Sequence, residues 1–525
     1  MQRRKFIRNA ATAAVAVPGF INGLSFRSYG EGGVLSQLGN SVVDNDHVLV
    51  VIQMAGGNDG INMVIPLDQY GNYLSARPNI AIAQANVLAL TGTSATGLHP
   101  VMTGMRDMYN DGKLCIVQAA GYPTPNFSHF RATDIWMTAS HQNEVLTNGW
   151  LGRYLNLEYP GYPNGYPNLN APDPLAIQFG SSTSLELLGP NSQMAVTISN
   201  PNNIINGVAD VENPAPLTPA GDKLVYVRNI SRQANQYSVR ISNSYNAGNT
   251  TGTIYPNTTL ANQLKVVAKM IHGGLKTKIF VCNFGGFDTH SGQVNLIDTS
   301  TGTHANLLKQ LSDAIKAFHT DLVVMGKDQR VVGMTFSEFG RRIKSNASGG
   351  TDHGAAAPMF LFGSQITGGI IGTNPTIPSN PTTGANVPYQ SDFRDIYTSL
   401  LKRWLCQDDL SITEIMLRTF PQVTVCNDAE CQPGPRAEKE ESLVRNYPNP
   451  VEGQTTVEFK TEGGHTLLQL IGPNGRIIST ILEKTYDRPT TATTKVNLTG
   501  MQRGMYYLRF QNGSKTQMRP IVKIN

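Results

Sequence analysis

Five short apolar runs, each breaking into glycine or a polar residue, constrain this chain more than any other feature. "HVLVVIQM" (47–54) runs into "AGGNDGIN". "KLCIVQAAG" (113–121), "KTKIFVCNFGGFDTH" (276–290), "QRVVGMTFSEFGRR" (329–342) and "APMFLFG" (357–363) follow. Runs this short, rich in β-branched residues and bounded by glycine, read as buried strands. Between the third and fourth, "HANLLKQLSDAIKAFHTDLVVMG" repeats Leu307, Leu308, Leu311, Ile315 and Phe318 at helical spacing. Strand, helix, strand is the pattern of an α/β fold with a doubly wound, mainly parallel sheet. Ligands bind such sheets beyond the carboxyl ends of the strands. The Asp, Asn, His and Glu residues considered below cluster at those ends.

At 525 residues the chain is too long for one ordinary core, so two or more domains are expected. The α/β domain is placed at 45–425. Within it, residues 155–260 contain "NLEYPGYPNGYPNLNAPDP" and "NSYNAGNTTGTIYPNTT" and read as a polar insertion or cap over the sheet. Residues 426–443 are polar, charged and proline-bearing, which describes a linker. From 444 to 525, "TTVEFKTEGG", "TLLQLIGPNGRIIST" and "MYYLRFQNG" suggest strands joined by tight turns, a small β-sandwich.

The chain begins "MQRRKFIRNAATAAVAVPGF". A twin arginine, then Phe6 and a short Ala/Val run predict a Tat-type export signal over residues 1–28. That run is too short to span a bilayer permanently, and no long apolar run follows, so no transmembrane segment is expected in the mature chain. Arg3, Arg4, Lys5 and Arg8 supply four of the net +5 charges. Without them the chain is near neutral, and a nucleic-acid role has no electrostatic support. Of the five cysteines, Cys115 and Cys282 lie in strand-like runs and read as inert core residues. Cys426 and Cys431 flank "NDAE" and are spaced to close a small disulfide outside the cytoplasm, with Cys406 left over. No CxxC occurs, which argues against a zinc ribbon or a thioredoxin-like site. No P-loop motif is present either.

Five motifs carry chemistry. "GGNDGIN" sets Asn58 and Asp59 at the end of the first strand, as an Asx-turn or as ligands. "PNFSHFRATDIW" puts Ser128 and His129 at a helix start, where serine is either an N-cap or a nucleophile beside free backbone N–H groups. "GGFDTH" spaces Asp288 and His290 so that carboxylate and imidazole face one ion if the loop is extended. "SEFGRR" offers Glu338 as a ligand and Arg341 as an anion holder, or the two as a surface pair. "GGTDHG" adds Asp352 and His353. Carboxylates mixed with histidine suit Zn²⁺, Mn²⁺, Mg²⁺ or Ca²⁺.

The leader together with "MAGGNDGINMVIP", "SHFRATDIW", "NGWLGRYL", "GGFDTH", "SEFGRR" and "GGTDHGAAAPMFLFG" resembles the bacterial family called domain of unknown function 1501, over residues 1 to about 420. More remotely, the motif order resembles the alkaline phosphatase superfamily, which includes sulfatases and phosphodiesterases. That likeness implies a hydrolase of phosphate or sulfate esters. Ser128 would be the nucleophile, and His129 or Arg341 would assist. Asp59, Asp288, His290, Glu338 and His353 would hold one or two divalent metals. Asp352 would be a partner that orients an imidazole. Where the superfamily carries an Asp-His pair, this chain has Glu338-Phe339, which leaves a set for one ion or none. An alternative alignment matches "TDHG" itself to that pair. The alternative reading is a non-catalytic secreted or surface binding protein that keeps the fold. "NYPNPVEGQTTVEFK", "IGPNGRIIS", "GMYYLRF" and "PIVKIN" resemble the sorting domain of the type nine secretion system of Bacteroidetes. Partners implied are a small-molecule or glycan ester and the two export machineries, with a destination at the outer-membrane surface or beyond.

Overall fold

The computed structural model describes residues 17–21, 24–28, 45–163, 165–190, 192–198, 219–427, 431, 443–472, 477–512 and 515–524. In chain order the strands of the larger part are β1 (Val17–Ile21), β2 (Leu24–Ser28), β3 (Val48–Ala55), β4 (Val64–Pro66), β5 (Leu88–Leu90), β6 (Thr93–Leu98) and β7 (Leu114–Gly121). They continue with β8 (Ala176–Phe179), β9 (Ala195–Ile198), β10 (Ile279–Gly285), β11 (Val331–Phe336), β12 (Ala357–Phe362), β13 (Gly369–Ile371) and β14 (Ser391–Asp392). One sheet runs β1-β2-β9-β8-β10-β3-β11-β12-β7-β13, with β14 on β7, while β4, β5 and β6 form a small sheet apart.

The fold is α/β with a mainly parallel sheet. β3 lies parallel between β10 and β11, with Leu49 opposite both Ile279 and Val332. β12 runs antiparallel to β11 and β7. Every residue of β7, β11 and β12 is buried, and all of β3 except Ala55. Burial on both faces is why these strands read as unbroken apolar runs, not alternating ones. Two groups of helices supply the cover. Thr103–Asn110, Pro219–Ala247, Thr259–His272 and Thr303–Val324 pack together, as do Trp150–Glu158, Phe393–Arg403 and Asp409–Met416.

Two expectations need correction. Residues 155–260 are not only a cap, because β8 and β9 lie there and extend the sheet, Ala176 pairing with Ile279 and Ala195. Their four-residue runs, "AIQF" and "AVTI", are too short to stand out among flanking Asn and Pro. The disulfide joins Cys406 to Cys431, whereas Cys426 is buried in the core. Backbone bonds between Asn427 and Gln365, and between Thr367 and Val425, hold the Cys426 strand-like segment inward.

The leader expected at 1–28 falls mostly outside the described residues. Its described parts are β1 and β2, which pair as an antiparallel hairpin beside β9. The expected linker is likewise mostly outside them. Beyond it, β15 (Leu443–Tyr447), β16 (Gln454–Thr461), β17 (Gly464–Ile471), β18 (Ile477–Tyr486), β19 (Thr490–Asn497), β20 (Gly504–Asn512) and β21 (Lys515–Lys523) form two sheets, β15-β16-β19 and β18-β17-β20-β21. Val457 and Phe459 of one sheet share a core with Leu468, Leu470, Leu508 and Phe510 of the other. These residues are two apart along each strand, the period of a sheet with one buried face.

Candidate metal centre

Five adjacent strands, β10-β3-β11-β12-β7, open their loops at one edge. β3 ends in the Gly56–Asp59 turn, β10 leads to Asp288 and His290, and β11 leads to Ser337 and Glu338. β7 leads to Ser128 and His129, and β12, being antiparallel, brings His353 to the same edge from its start. Backbone pairing of Arg341 with His353 aligns the last two loops. Gly56 has φ +126° and Gly57 φ +78°, and a Cβ on Gly56 would meet the backbone at Phe287 and Asp288. Only glycine lets the first loop pass that close under the third.

Three imidazoles converge on the Asp288 carboxylate. His290 Nε2 lies 3.2 Å and His353 Nε2 3.3 Å from Oδ1, and His129 Nε2 lies 3.5 Å from Oδ2. His290 Nε2 and His353 Nε2 are 2.9 Å apart. The opposite nitrogen of each ring faces an acceptor. His129 Nδ1 is 2.8 Å from Glu338 Oε1, His353 Nδ1 is 2.8 Å from the Phe127 carbonyl, and His290 Nδ1 is 3.4 Å from Asp352 Oδ1. A carbonyl only accepts, so His353 Nδ1 donates and its Nε2 presents a lone pair. The Glu338 and Asp352 carboxylates are likewise acceptors facing Nδ1 of His129 and His290.

Where each of these Nε2 atoms carries its lone pair, a cation shared among them and the carboxylate would relieve their repulsion. Donors bonded to one cation at roughly 2.0–2.2 Å lie about 2.8–3.6 Å apart in octahedral or tetrahedral geometry. The four separations given above fall within that range, and donor atoms of His129, Asp288 and His353 all lie within 4.8 Å of one another. Burial first, then the Arg341 charge, hold His353 below the ordinary histidine pKa against the pull of the Phe127 bond, which keeps a neutral ligand at neutral pH. Burial works to raise Asp288, but the hydrogen bond and charge of Arg341 outweigh it and hold the carboxyl below its ordinary range.

Glu338, expected as a ligand, sits behind His129. It is buried, and its Oε1 also accepts the Gly56 amide at 2.9 Å. Asp352 sits behind His290, not His353. Arg341, expected to hold an anion, is buried and donates to the carbonyls of Gly56, Gly57, Phe287 and Thr351 and to Asp288 Oδ1 at 2.7 Å. It fixes the loops and does not reach outward. Asp59 is apart from the cluster. A fully buried carboxylate needs a partner, and Asp59 has Arg77 Nη1 at 2.6 Å and Gln293 Nε2 at 2.6 Å. Burial would raise its pKa, yet the Arg77 charge, aided by His304, lowers it. Gln293 Oε1 in turn accepts from Thr289 and Thr351, tying two site loops to Asp59. Ser128 is the exposed N-cap residue of helix His129–Thr138 and makes no side-chain cap bond. Arg77, Gln293 and the Phe127 carbonyl had no signal in the sequence, since each acts through a contact far along the chain.

The fold and site thus define a class: a mainly parallel α/β protein with a histidine–aspartate cluster at the carboxyl edge of its sheet. Residues 84–404 match the family described as a protein of unknown function, DUF1501, and the chain belongs to that family. Residues 445–524 match the secretion system C-terminal sorting domain, which marks the chain for export. No protein of curated function matches. Among solved structures, similarity extends to a protein in the alkaline phosphatase superfamily from Vibrio parahaemolyticus, at 9% identity and TM-score 0.31, covering 100% of this chain and 92% of that one. It extends also to a structure concerned with the metabolism of multiple glycosaminoglycans by Bacteroides thetaiotaomicron, at 9% identity and TM-score 0.32, covering 90% and 88%. At these scores the likeness carries no argument about chemistry. Among the described residues no helix is long and apolar enough to cross a membrane.

Proposed function

We propose that His129, Asp288, His290 and His353 hold one divalent cation, and that the protein is an exported metal-dependent hydrolase of phosphate or sulfate esters. The observation that supports this is the convergence of three imidazoles on Asp288, each ring faced from behind by an acceptor. Such rear acceptors fix the tautomer of metal-binding histidines. Three imidazoles favour Zn²⁺ or Mn²⁺ over Mg²⁺ and Ca²⁺, which take oxygen ligands. A bound cation would supply Lewis-acid polarisation of an ester oxygen. Ser128, exposed and one residue from His129, is the nucleophile of this reading. Its oxygen bonds to phosphorus or sulfur as the ester P–O or S–O bond breaks, the hydroxyl proton passes through solvent to the departing alcohol oxygen, and water then cleaves the seryl ester, releasing phosphate or sulfate and restoring the hydroxyl. His129 thereby becomes a cation donor and not a base. A Tat leader and type nine secretion to the outer-membrane surface or beyond belong to the same proposal.

The test is metal analysis with an ester panel. Wild type binds one equivalent of metal and turns over an ester. Ser128→Ala keeps the metal and loses turnover, and His353→Ala loses both. The burial of Arg341 favours a second reading, a binding protein that keeps the metal without catalysis, because no cationic side chain assigned to the site reaches out to an anionic ester. Wild type that binds metal stoichiometrically yet turns over no ester would establish that reading and end the first.

A further inference from the structure

Gln293 follows His290 in the same loop and is fully buried beneath the centre. Its Nε2 donates to Asp59 Oδ2 at 2.6 Å, and its Oε1 accepts the Thr289 hydroxyl at 3.1 Å and the Thr351 hydroxyl at 2.9 Å. An ionised carboxylate only accepts, so the amide nitrogen must face Asp59 and the amide oxygen the two hydroxyls. Asp59 is held in turn by Arg77, whose Nε and Nη2 donate to the carbonyls of Ile343 and Arg342 at 2.8 and 2.7 Å. Thr289 stands between Asp288 and His290, and Thr351 adjoins Asp352 and His353. Backbone bonds run alongside, from Thr351 N to the Thr289 carbonyl at 3.2 Å and from Gln293 N to the Gly349 carbonyl at 2.9 Å. The loops that carry Asp288, His290 and His353 thus meet at one amide.

We infer that Gln293 is a positioning residue of the metal centre: it couples the buried Asp59–Arg77 pair to the loops of Asp288, His290 and His353, and so sets how tightly the cation is held. This rests on the one-cation reading proposed above. A site whose donors are already spaced for the ion loses less freedom on binding than one whose loops must be ordered by it. Two hydroxyls on one amide oxygen hold the two loops at one spacing. Removing the amide takes that acceptor from both hydroxyls and a donor from Asp59. Buried polar groups left unpaired are costly, so the loops shift to find other partners. The donors on those loops then shift with them.

Gln293→Met keeps the side chain's length without its amide. The full chain is titrated with Zn²⁺ by calorimetry, and the visible bands of bound Co²⁺ are recorded. Gln293→Met should weaken Zn²⁺ binding about tenfold and alter the Co²⁺ bands. Thr351→Val should weaken binding roughly threefold in the wild-type background. In the Gln293→Met background it should have no further effect, because both changes break the same link. A residue that only stabilised the fold would shift urea unfolding of the metal-free protein and leave Zn²⁺ affinity and the Co²⁺ bands unchanged. Wild type that binds Zn²⁺ no more tightly than Gln293→Met overturns the inference alone, as does a Thr351→Val effect equal in both backgrounds. Wild type that binds no Zn²⁺ overturns the one-cation reading and the inference with it. Should Gln293→Met lack the dichroism of the folded chain, the double variant Thr289→Val, Thr351→Val decides: weakened Zn²⁺ binding supports the inference, and unchanged binding overturns it.

Discussion

At the scale of single residues, the centre depends on groups that never touch a ligand. Glu338 orients His129 and receives the Gly56 amide, so Glu338→Gln should weaken metal binding roughly 10–100-fold while leaving the fold intact, as read by calorimetric titration and dichroism. Arg341 is a stronger case. Lysine has no planar fork and cannot reach four carbonyls and a carboxylate at once. Arg341→Lys should cost about 3–5 kcal/mol in denaturant unfolding, because it strands buried acceptors that arginine satisfies. His304 sets a pH response. It is buried with Nε2 3.0 Å from Asn58 Oδ1, and burial lowers its pKa from 6.5 to about 4. The unfolded chain takes up that proton near pH 6.5, so the stability from neutral His304 is full above that value and is lost as pH falls towards about 4. The loss is on the order of 3 kcal/mol, and His304→Gln should flatten that part of the stability–pH curve measured by urea unfolding.

At the scale of elements, strand order decides which loops meet. β10, β3 and β11 are in-register parallel neighbours, so their carboxyl ends reach one edge together. β12 delivers His353 only because it runs the other way. The Gly56–Gly57 turn must pass beneath the Phe287–Asp288 backbone. Gly56→Ala places a Cβ against that backbone at positive φ, so it should lower stability by about 1–3 kcal/mol and reduce metal occupancy as Asp288 shifts. Metal analysis together with thermal unfolding checks both.

At the scale of the whole molecule, an α/β domain with the site is followed by a sandwich that carries export. Ligand binding to the folded chain alone stabilises it, by about 2.7 kcal/mol at a hundredfold excess over Kd. Calorimetry should therefore show one thermal transition rising with Zn²⁺ or Mn²⁺ and falling with a chelator. The transition of the sandwich should not move, because none of the proposed donors lies in it. His353→Ala should remove the shift.

The sequence by itself determined the α/β class, the strands buried on both faces, the C-terminal sandwich and the loops that carry chemistry, because apolar run length and glycine placement are local signals. Asp288, His290 and His353 stand out for that reason. Tertiary structure decided which of the flagged residues face one another. Asp59 turned to Arg77, Glu338 and Asp352 moved behind imidazoles, His129 joined Asp288, and Cys431 paired with Cys406, not with its near neighbour in sequence. These outcomes rest on contacts between residues far apart in the chain, where a buried charge must find its partner, and no local pattern records which partner that is.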